Sequence, residues 1–381
     1  MRITIIGGGI GGLTAALALR KVGFSPEVFE QAPALLEVGA AIAVWPNAMR
    51  LLRHLDLDKE IIEKAGLIEK IKVLDRRGRL LKSVRLPESN APAVALRRAD
   101  LQSALLHAVP EDSVHLGRHC TGFLQQSSKV IVAFADGAPT ECDLLIGADG
   151  LHSAVRAQAF HDGEPIGCRY TVWRGISDCQ PLTLTPATAT EIHGRGKRFG
   201  IGPVGLGRFG WWATANLTKV DNTGGKAQQQ LLLELFDGWF QPVIDLIQAT
   251  PESGIVRNSV FDRPPSKQWG VERFTLLGDA IHPTTPNLGQ GGCLAIEDAV
   301  VLARCLSTDG DPVQALRHYE RIRYQRTANV VKWSRYYGVV GQWQSWPAAF
   351  TRSLVISMCP ASLFQRSLRL LLDYDAWTVK L

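Results

Sequence analysis

The residues with the clearest chemical meaning lie within the first thirty positions. Gly7, Gly9 and Gly12 follow the apolar run 3–6 and open a segment with helical spacing. In such a turn, Gly7 permits a tight bend, Gly9 lets the backbone approach a pyrophosphate, and Gly12 allows close packing of the helix on the strand. The phosphates of a ligand then face unpaired N–H groups at the positive end of that helix.

An acidic residue completes this unit. Glu30 ends a second strand-like segment, 26–30, and a carboxylate at this distance from the glycines accepts hydrogen bonds from a ribose diol. It also disfavours a 2′-phosphate, which favours FAD or NAD over NADP at this site. Because a strand, a helix and a terminal acid surround the glycine motif, the sequence predicts binding of the ADP part of a dinucleotide. The choice between FAD and NAD stays open at this point.

Two later segments, 142–156 and 277–299, carry further candidate residues. Each combines a strand, a Gly–Asp or Asp–Gly pair and the start of a helix, the second helix from Cys293. Asp and Gly are also ordinary turn formers, so for Asp149 a turn and a functional role are equally favoured. The glycines of the second segment allow backbone N–H groups to approach a ligand edge where negative charge develops. The candidate residues in the two segments are Asp149, Gly150, Arg156, Asp279, Pro286, Gly289, Gly291 and Gly292.

The order of these motifs resembles that of the group A FAD-dependent aromatic hydroxylases and monooxygenases, which share the p-hydroxybenzoate hydroxylase fold. Within that family, the chain looks like the branch of salicylate hydroxylase, FAD-dependent urate hydroxylase and zeaxanthin epoxidase. The resemblance implies that Asp279 hydrogen-bonds the ribitol of FAD and that Arg98 lies near the FAD phosphates. It associates Asp149 and Gly150, with Arg156, with the FAD pyrophosphate and with NAD(P)H use. It places the loop 283–292 beside the isoalloxazine ring.

The activity implied by this resemblance is that of a single-component FAD-dependent monooxygenase using NADH or NADPH and O2. A flavin C4a-hydroperoxide would hydroxylate or epoxidise a small aromatic, heterocyclic or isoprenoid substrate. No second GxGxxG motif follows the first, so we expect NAD(P)H to meet a mobile flavin transiently. Two alternatives stay open: a flavin reductase or oxidase without oxygen insertion, and a non-catalytic dinucleotide-binding protein. A flavin halogenase would carry a Trp-x-Trp-x-Ile-Pro motif, which 211–216 does not match.

The elements that must position these residues predict an α/β fold. We expect a Rossmann-like FAD-binding domain (GR2 type) with an inserted antiparallel-sheet substrate domain and C-terminal helices. Strand-like segments at 170–176, 189–193, 199–203 and 209–216 precede helices at 227–236 and 242–249. The predicted division gives the FAD-binding domain 1–71, 96–169 and 261–330, the substrate domain a hairpin at 72–95 and the segment 170–260, and the C-terminal helical segment 331–381.

No catalytic residue is assigned from the sequence, but three are candidates: Arg174, Arg198 and His282. Arginine usually lies at a solvated surface, and a loop histidine is as readily a hydrogen-bonded structural residue as a flavin contact. Aromatic strand residues usually pack within a sheet. The aromatic candidates for substrate contact are Trp173, Trp211 and Trp212.

Composition restricts the class of protein. A chain of 381 residues suggests two lobes, and a net charge of +6 without a long basic run gives little support to nucleic-acid binding. Seven cysteines without a CxxC pair suggest neither disulfides nor a metal site, and they favour the cytoplasm. No apolar run is long enough for a transmembrane segment. The run 354–360 is expected to pack on the protein, with weak peripheral membrane contact as the alternative. The expected partners are a small-molecule substrate, O2 and NAD(P)H, for a monomer or homodimer.

Overall fold

The computed structural model describes residues 1–34, 40–181, 183–217 and 226–381. Its helices are α1 (Ile10–Lys21), α2 (Pro46–His54), α3 (Asp58–Lys64), α4 (Arg98–Ala108), α5 (Ala154–Phe160), α6 (Gln228–Leu235), α7 (Gln241–Ala249), α8 (Gly291–Thr308), α9 (Pro312–Gly341), α10 (Trp346–Met358) and α11 (Ala361–Leu372). Its strands are β1 (Ile3–Ile6), β2 (Glu27–Phe29), β3 (Ala41–Val44), β4 (Gly66–Ile68), β5 (Lys70–Asp75), β6 (Leu80–Arg85), β7 (Ala93–Arg97), β8 (Val114–His115), β9 (Cys120–Gln125), β10 (Val130–Phe134), β11 (Thr140–Cys142), β12 (Leu144–Gly147), β13 (Ile166–Ser177), β14 (Thr188–His193), β15 (Lys197–Pro203), β16 (Phe209–Asn216), β17 (Val256–Asp262) and β18 (Phe274–Leu276).

A five-stranded parallel sheet forms the centre of the first lobe, in the order β18-β12-β1-β2-β8. All four residues of β1 are buried, as is typical of parallel strands with both faces covered. The central strand β1 pairs with β12 on one side and with β2 on the other. Its carboxyl end therefore opens at the edge of the sheet where ligands bind in open α/β folds. The predicted Rossmann-like lobe is confirmed.

Two three-stranded antiparallel sheets accompany the parallel one. The first has the order β11-β10-β9, and the second has the order β3-β7-β4. Strand β7 begins within the segment 72–95 predicted as a hairpin, yet it pairs with β3 and β4. The hairpin itself consists of β5 and β6. Because α4 begins directly after β7, this small sheet carries Arg98 at its end.

The second lobe is a seven-stranded sheet in the order β17-β13-β16-β15-β14-β5-β6. Its pairs are antiparallel except for β14 and β5, which run parallel. The predicted strands are present as β13 to β16, and the two predicted helices as α6 and α7. Side chains of both helices pack with buried aromatic residues of the sheet. The antiparallel-sheet domain is thus confirmed. It contains one parallel pair, β14 and β5, which a prediction based on consecutive hairpins does not include.

The predicted division of the chain into six segments stays a prediction, and its boundaries fall inside continuous elements. The boundary at 71/72 lies within β5, the one at 169/170 within β13 and the one at 260/261 within β17. The boundary at 330/331 divides α9, a helix of thirty residues that contacts α8 at one end and β15 and β16 through Gln342 at the other. A change of composition locates a lobe, but it does not reveal that one strand or helix runs through both lobes.

The chain ends in α10 and α11, which lie along the edge strand β6. The predicted C-terminal helices are therefore present. Among the described residues, no helix is both long enough and apolar enough to cross a membrane.

Candidate active site

The glycine turn after β1 has the geometry that the sequence predicts. Gly7 has φ +109°, and a Cβ there would lie 2.4 Å from the carbonyl oxygen of Ala148. A Cβ at Gly12 would lie 1.9 Å from the carbonyl oxygen of Gly7, so only glycine allows this approach of α1 to the turn. Around Gly9, the N-cap of α1, a Cβ would meet nothing within 4 Å. The turn therefore presents a helix N-terminus to open space, where an anion is favoured.

Glu30 follows β2 and lies beside this turn. Its Oε2 accepts a hydrogen bond from Gly8 N at 2.7 Å, and its Oε1 accepts one from Ala32 N at 2.8 Å. These two donors fix the carboxylate, and each oxygen retains a lone pair for a further donor. On the other side of the turn, Gln102 Nε2 of α4 donates to Gly8 O at 2.9 Å. Sequence reasoning missed Gln102, since it lies in the middle of a helix without a motif.

Asp149 and Gly150 follow β12 at the same edge of the sheet. Asp149 Oδ2 accepts from Val155 N at 3.2 Å, whereas the buried Oδ1 has no partner among the described residues. Burial raises the pKa of this carboxyl. Arg156 faces the interior, where it pairs with Asp162 at 2.6 Å and donates to the backbone of Ile281. Arg156 therefore ties α5 to the segment after β18, while Asp149 retains an unpaired oxygen.

Asp279 stands after β18, in the turn Gly278–Ala280. Its side chain is exposed and makes no hydrogen bond to any residue of the described chain. The surrounding protein atoms nevertheless desolvate the carboxyl and raise its pKa, and the charges of His282 and Arg98 oppose that rise. The Oδ1 atom lies 3.8 Å from the position of a Cβ on Gly291, the first residue of α8. An unpaired acceptor thus faces the N-terminal turn of a helix.

The loop between Asp279 and α8 packs against β3 and the residue that follows it. Pro286 begins a short 3-10 turn, and Gly289 has φ +61°. A Cβ on Gly289 would lie 2.9 Å from Trp45 Nε1, and one on Gly292 would lie 3.0 Å from Ile42 Cδ1. The indole N–H of Trp45 is buried without a partner in the described part of the chain. Trp45 was not predicted, because its role depends on contact with a loop more than two hundred residues away.

The glycine turn and this later segment meet through α1 and α8, which pack side by side. A Cβ on Gly11 would lie 2.7 Å from Leu277 Cδ2 and 3.2 Å from Ala295 Cβ. The structure therefore brings the three motifs together at one edge of the parallel sheet. Helix α8 begins at Gly291, two residues earlier than predicted from the sequence, so its free N–H groups belong to the glycines of the loop.

A buried network of charged residues fixes the segment from Gly278 to His282 on α8 and α9. Asp298 Oδ2 accepts from Gly278 N at 3.1 Å and lies 2.5 Å from His282 Nε2, while Asp298 Oδ1 accepts from Arg323 Nε at 2.7 Å. Arg323 Nη2 also donates to Glu297 at 2.7 Å, and all three charged partners are fully buried. Burial alone would raise the pKa of Asp298, but His282 and Arg323 outweigh it and lower the pKa.

This placement decides between the two interpretations of His282. The side chain is 3% exposed and hydrogen-bonds Asp298, so it faces the core and anchors the segment around Asp279. The sequence contained a clue to the network, since Glu297 and Asp298 are adjacent acids within an otherwise apolar helix. Buried carboxylates require partners, but the identity of Arg323 as that partner depends on the packing of α9 against α8.

Strand alternation separates the candidate residues of the seven-stranded sheet into two faces. Trp173 and Trp211 lie on the face that packs with α6 and α7, and their indole N–H groups donate to Gln228 and Thr250. They are therefore core residues and not substrate contacts. Arg174 and Trp212 are register partners on the opposite face, and the Arg198 guanidinium lies 5.4 Å from the Trp212 ring.

Arg198 is fully buried and links the seven-stranded sheet to the loop between Asp279 and α8. Its Nη1 donates to Glu191 at 3.1 Å and its Nη2 donates to Asn287 Oδ1 at 2.5 Å. Asn287 Nδ2 in turn donates to Tyr170 Oη at 3.1 Å. The pKa of Glu191 is lowered to about 2, because His193, Arg198 and a tyrosine hydroxyl outweigh burial. Asn287 and Tyr170 were not predicted, since they become neighbours of Arg198 only when the loop meets the sheet.

Arg174 occupies a different position on the same face. Its Nη1 donates to Asn258 at 3.2 Å. Burial lowers its pKa, and the positive charge of Arg98 lowers it further. The same Arg98 charge acts on Asp279. Arg98, directly after β7, and Arg174, on the seven-stranded sheet, therefore lie close enough for their positive charges to interact.

Comparison with known proteins agrees with this geometry. The model of the family described as "FAD binding domain" matches residues 1–176 and 256–334. Aurachin C monooxygenase/isomerase of Stigmatella aurantiaca is 41% identical, over 94% of this chain and 94% of that protein. The FAD-dependent urate hydroxylase of Klebsiella pneumoniae is 34% identical, over 87% of this chain and 88% of that protein. Zeaxanthin epoxidase of Oryza sativa is 34% identical over 86% of this chain, which spans 53% of the plant protein.

A solved structure gives the same result at the level of the fold. The crystal structure of Klebsiella pneumoniae HpxO complexed with FAD and uric acid superposes with a TM-score of 0.90 at 30% identity. The superposition covers 98% of this chain and 97% of that one.

Proposed function

The chain belongs to the family of FAD-dependent aromatic hydroxylases and monooxygenases, and on this premise we propose that it uses NADH or NADPH and O2 to hydroxylate or epoxidise a small aromatic, heterocyclic or isoprenoid substrate. The observation that carries the cofactor assignment is the unpaired carboxylate of Asp279 at the start of α8. The similarity to aurachin C monooxygenase/isomerase over nearly the whole chain supports oxygen insertion over simple oxidation.

The residues present fit FAD along one path across the sheet edge. Gly9 offers open space at the N-terminus of α1 for the pyrophosphate, and Glu30 beside it retains acceptor capacity for a ribose diol. The orphan oxygen of Asp149 and the unpaired carboxylate of Asp279 are acceptors for hydroxyl groups of the cofactor. When bound, FAD supplies hydride acceptance and the transfer of oxygen from O2.

The protein then has three tasks, which are binding, orientation and the exclusion of water. We propose that the loop at Pro286–Leu288 and the start of α8 would offer backbone N–H groups to the negative charge of a bound, reduced flavin. The Arg198–Asn287 contact holds this loop at a fixed position relative to the seven-stranded sheet. We propose that the substrate binds between the loop and the sheet face that carries Arg174 and Trp212.

Arg198 is the stronger of the two arginine candidates for positioning, because it is buried and bonded to both lobes. Arg174, whose charge lies near that of Arg98, is the stronger candidate for contact with an anionic substrate group or with NAD(P)H. Among the residues that the structure describes, none on this face is positioned as a general base, and we assign none.

A ligand screen tests the proposal. The purified protein, loaded with FAD, is mixed with a panel of phenols, heterocycles and isoprenoids, and the oxidation of NADH and of NADPH is recorded for each compound. We expect at least one compound to accelerate oxidation and to yield an oxygenated product. Oxidation that yields stoichiometric hydrogen peroxide with every compound, and no oxygenated product, would instead establish the alternative of a reductase or oxidase.

A further inference from the structure

The last two helices turn apolar side chains towards solvent. Their exposed fractions range from 45% to 75%, whereas large apolar residues at the surface of a monomeric protein normally stand singly. We call this set the C-terminal apolar face. It consists of Trp346, Phe350, Leu354, Val355 and Met358 on α10, and Leu363 and Leu370 on α11.

The spacing within α10 shows that this exposure is a property of the whole helix. Trp346, Phe350, Leu354 and Met358 recur every four residues, which places them along one side. The opposite side is fixed by Arg352, which is 4% exposed. Its guanidinium donates to the carbonyl oxygen of Gly341 at 2.6 Å and to that of Gly194 at 2.7 Å. The helix therefore binds the protein through a buried arginine and leaves its apolar side outward.

Helix α11 is attached along the same edge of the protein. Lys82 Nζ of β6 donates to the carbonyl oxygen of Ser357, and Gln365 Nε2 donates to that of Arg85 at the end of β6. Arg50 Nη2 donates to Leu372 O at 2.8 Å at the end of α11. The two helices thus cover the edge strand β6, a common protection of a sheet edge. Covering the edge does not require the outward apolar side chains.

Charge distinguishes the possible occupants of this face. The segment 346–372, which contains α10 and α11, has three arginines and no aspartate or glutamate, although the chain has 36 acidic residues. Arg366 and Arg369 are exposed on α11, beside Leu363 and Leu370. A helical surface with apolar and aromatic residues, basic neighbours and no acid is typical of helices that lie in the interface of an anionic membrane.

A second copy of the chain fits this surface less well. Two copies related by a twofold axis would bring the same basic residues of each α11 towards one another. The stacked rings of Trp346 and Phe350, at a centroid distance of 5.3 Å, are instead suited to the headgroup level of a bilayer.

We propose that the C-terminal apolar face docks this protein on the surface of an anionic lipid bilayer, with α10 and α11 lying in the plane of the interface. Docking in this way requires none of the proposed chemistry, so it stands or falls separately from the monooxygenase reaction. If the substrate is of the proposed isoprenoid class, docking brings the protein to the lipid phase in which such an apolar substrate dissolves.

Sedimentation with lipid vesicles tests the docking. The full chain with FAD is mixed with phosphatidylcholine vesicles that contain or lack phosphatidylglycerol, and the bound fraction is measured. The test variant carries Phe350→Ser and Leu354→Ser. The matched control carries Leu124→Ser and Leu206→Ser, which change two apolar residues that are more exposed than Phe350 and Leu354 and lie far from α10 in the sequence. Thermal melting confirms that each variant is folded, and Met358→Ser repeats the test with a single change.

We expect the wild type and the control to bind vesicles that contain phosphatidylglycerol. The test variant should bind at least about tenfold more weakly, because it no longer gains the free energy of burying two apolar side chains in the bilayer. Arg366→Gln with Arg369→Gln should abolish the preference for phosphatidylglycerol. The proposal is overturned if the wild type stays in the supernatant with both kinds of vesicle, or if the test variant and the control bind alike. It is also overturned if the wild type is a dimer that the test variant dissociates, because the face is then a subunit interface.

Discussion

Replacing Arg323 with methionine removes the cation that neutralises two buried carboxylates of α8, Glu297 and Asp298, next to the loop between Asp279 and α8. In the wild type, its guanidinium donates to Glu297 and Asp298 at 2.7 Å each, with both acids fully buried. Methionine fills much of the volume but carries no charge, so two carboxylates remain in the protein interior. Asp298 also accepts from Gly278 N, and its disturbance therefore reaches the turn that presents Asp279.

The loss of folding stability in Arg323→Met depends on how many hydrogen-bond donors still contact the two carboxylates. Removing one partner of a buried ion pair typically costs about 3–5 kcal/mol. Arg326 still donates to Glu297 at 3.1 Å, and Asn47 still donates to it at 2.6 Å, so we expect the low end, about 3 kcal/mol. An unfolding entropy of roughly 0.8 kcal/mol/K for a chain of this length then gives a fall in Tm of about 4 °C.

Differential scanning calorimetry of the apoprotein and titration with FAD measure the two consequences. Lys21→Met is the matched control, since the Lys21–Asp56 pair is exposed at the surface, where an ion pair contributes little to stability. The double variant with Glu297→Gln and Arg323→Met should recover about half of the loss, because one of the two carboxylates that lost the guanidinium then carries no charge. A change in Arg323→Met no larger than that of the control would refute the claim that this network supports the site.

Four further substitutions test individual parts of the site. Gly12→Ala places a methyl group 1.9 Å from the Gly7 oxygen and should lower the Tm of the apoprotein by several degrees, whereas Gly9→Ala meets open space and should weaken only FAD binding in a titration. Asp279→Asn should weaken FAD binding. Because the folded protein raises the pKa of this carboxyl, its ionisation costs stability, so the apoprotein variant should gain Tm relative to wild type as the pH rises above about 4. Arg198→Met should lower substrate-stimulated NAD(P)H oxidation by at least about tenfold at unchanged FAD content.

Each of these expectations has a result that contradicts it. Equal Tm values for Gly12→Ala and Gly9→Ala would show that the close approach to Gly7 is unimportant. A Tm difference for Asp279→Asn that is independent of pH would show that its carboxyl is not destabilised by ionisation. Full stimulated turnover in Arg198→Met would remove Arg198 from the positioning of the loop.

The first lobe was predictable because its signals are local. The glycines, the apolar run before them and Glu30 lie within one βαβ unit, and backbone geometry dictates their spacing. The second lobe was predictable as a sheet but not in its orientation. Alternation puts Trp211 and Trp212 on opposite faces, yet the covered face is known only when α6 and α7 pack against Trp173 and Trp211.

Other parts of the candidate site depend on contacts between distant segments. Asn287 joins Arg198 to the loop across 89 positions, and Arg323 reaches Asp298 from the next helix. Arg323 belongs to no motif, and Asn287 lies within the loop 283–292 without any spacing that indicates Arg198 as its partner. The orientation of α10 could not be predicted either, because an apolar run such as 354–360 is expected to face the core. In the structure, Arg352 is the buried side of the helix and the apolar side chains face solvent.

Oxygen-isotope labelling tests the central claim most directly. The holoprotein is supplied with NADH or NADPH, with the compound that most stimulates oxidation, and with O2 enriched in oxygen-18. We predict a product that carries one oxygen-18 atom from O2, formed in proportion to the NAD(P)H consumed. Unlabelled or unchanged compound, with all of the consumed O2 recovered as hydrogen peroxide, would contradict the assignment of this chain's reaction as oxygen insertion.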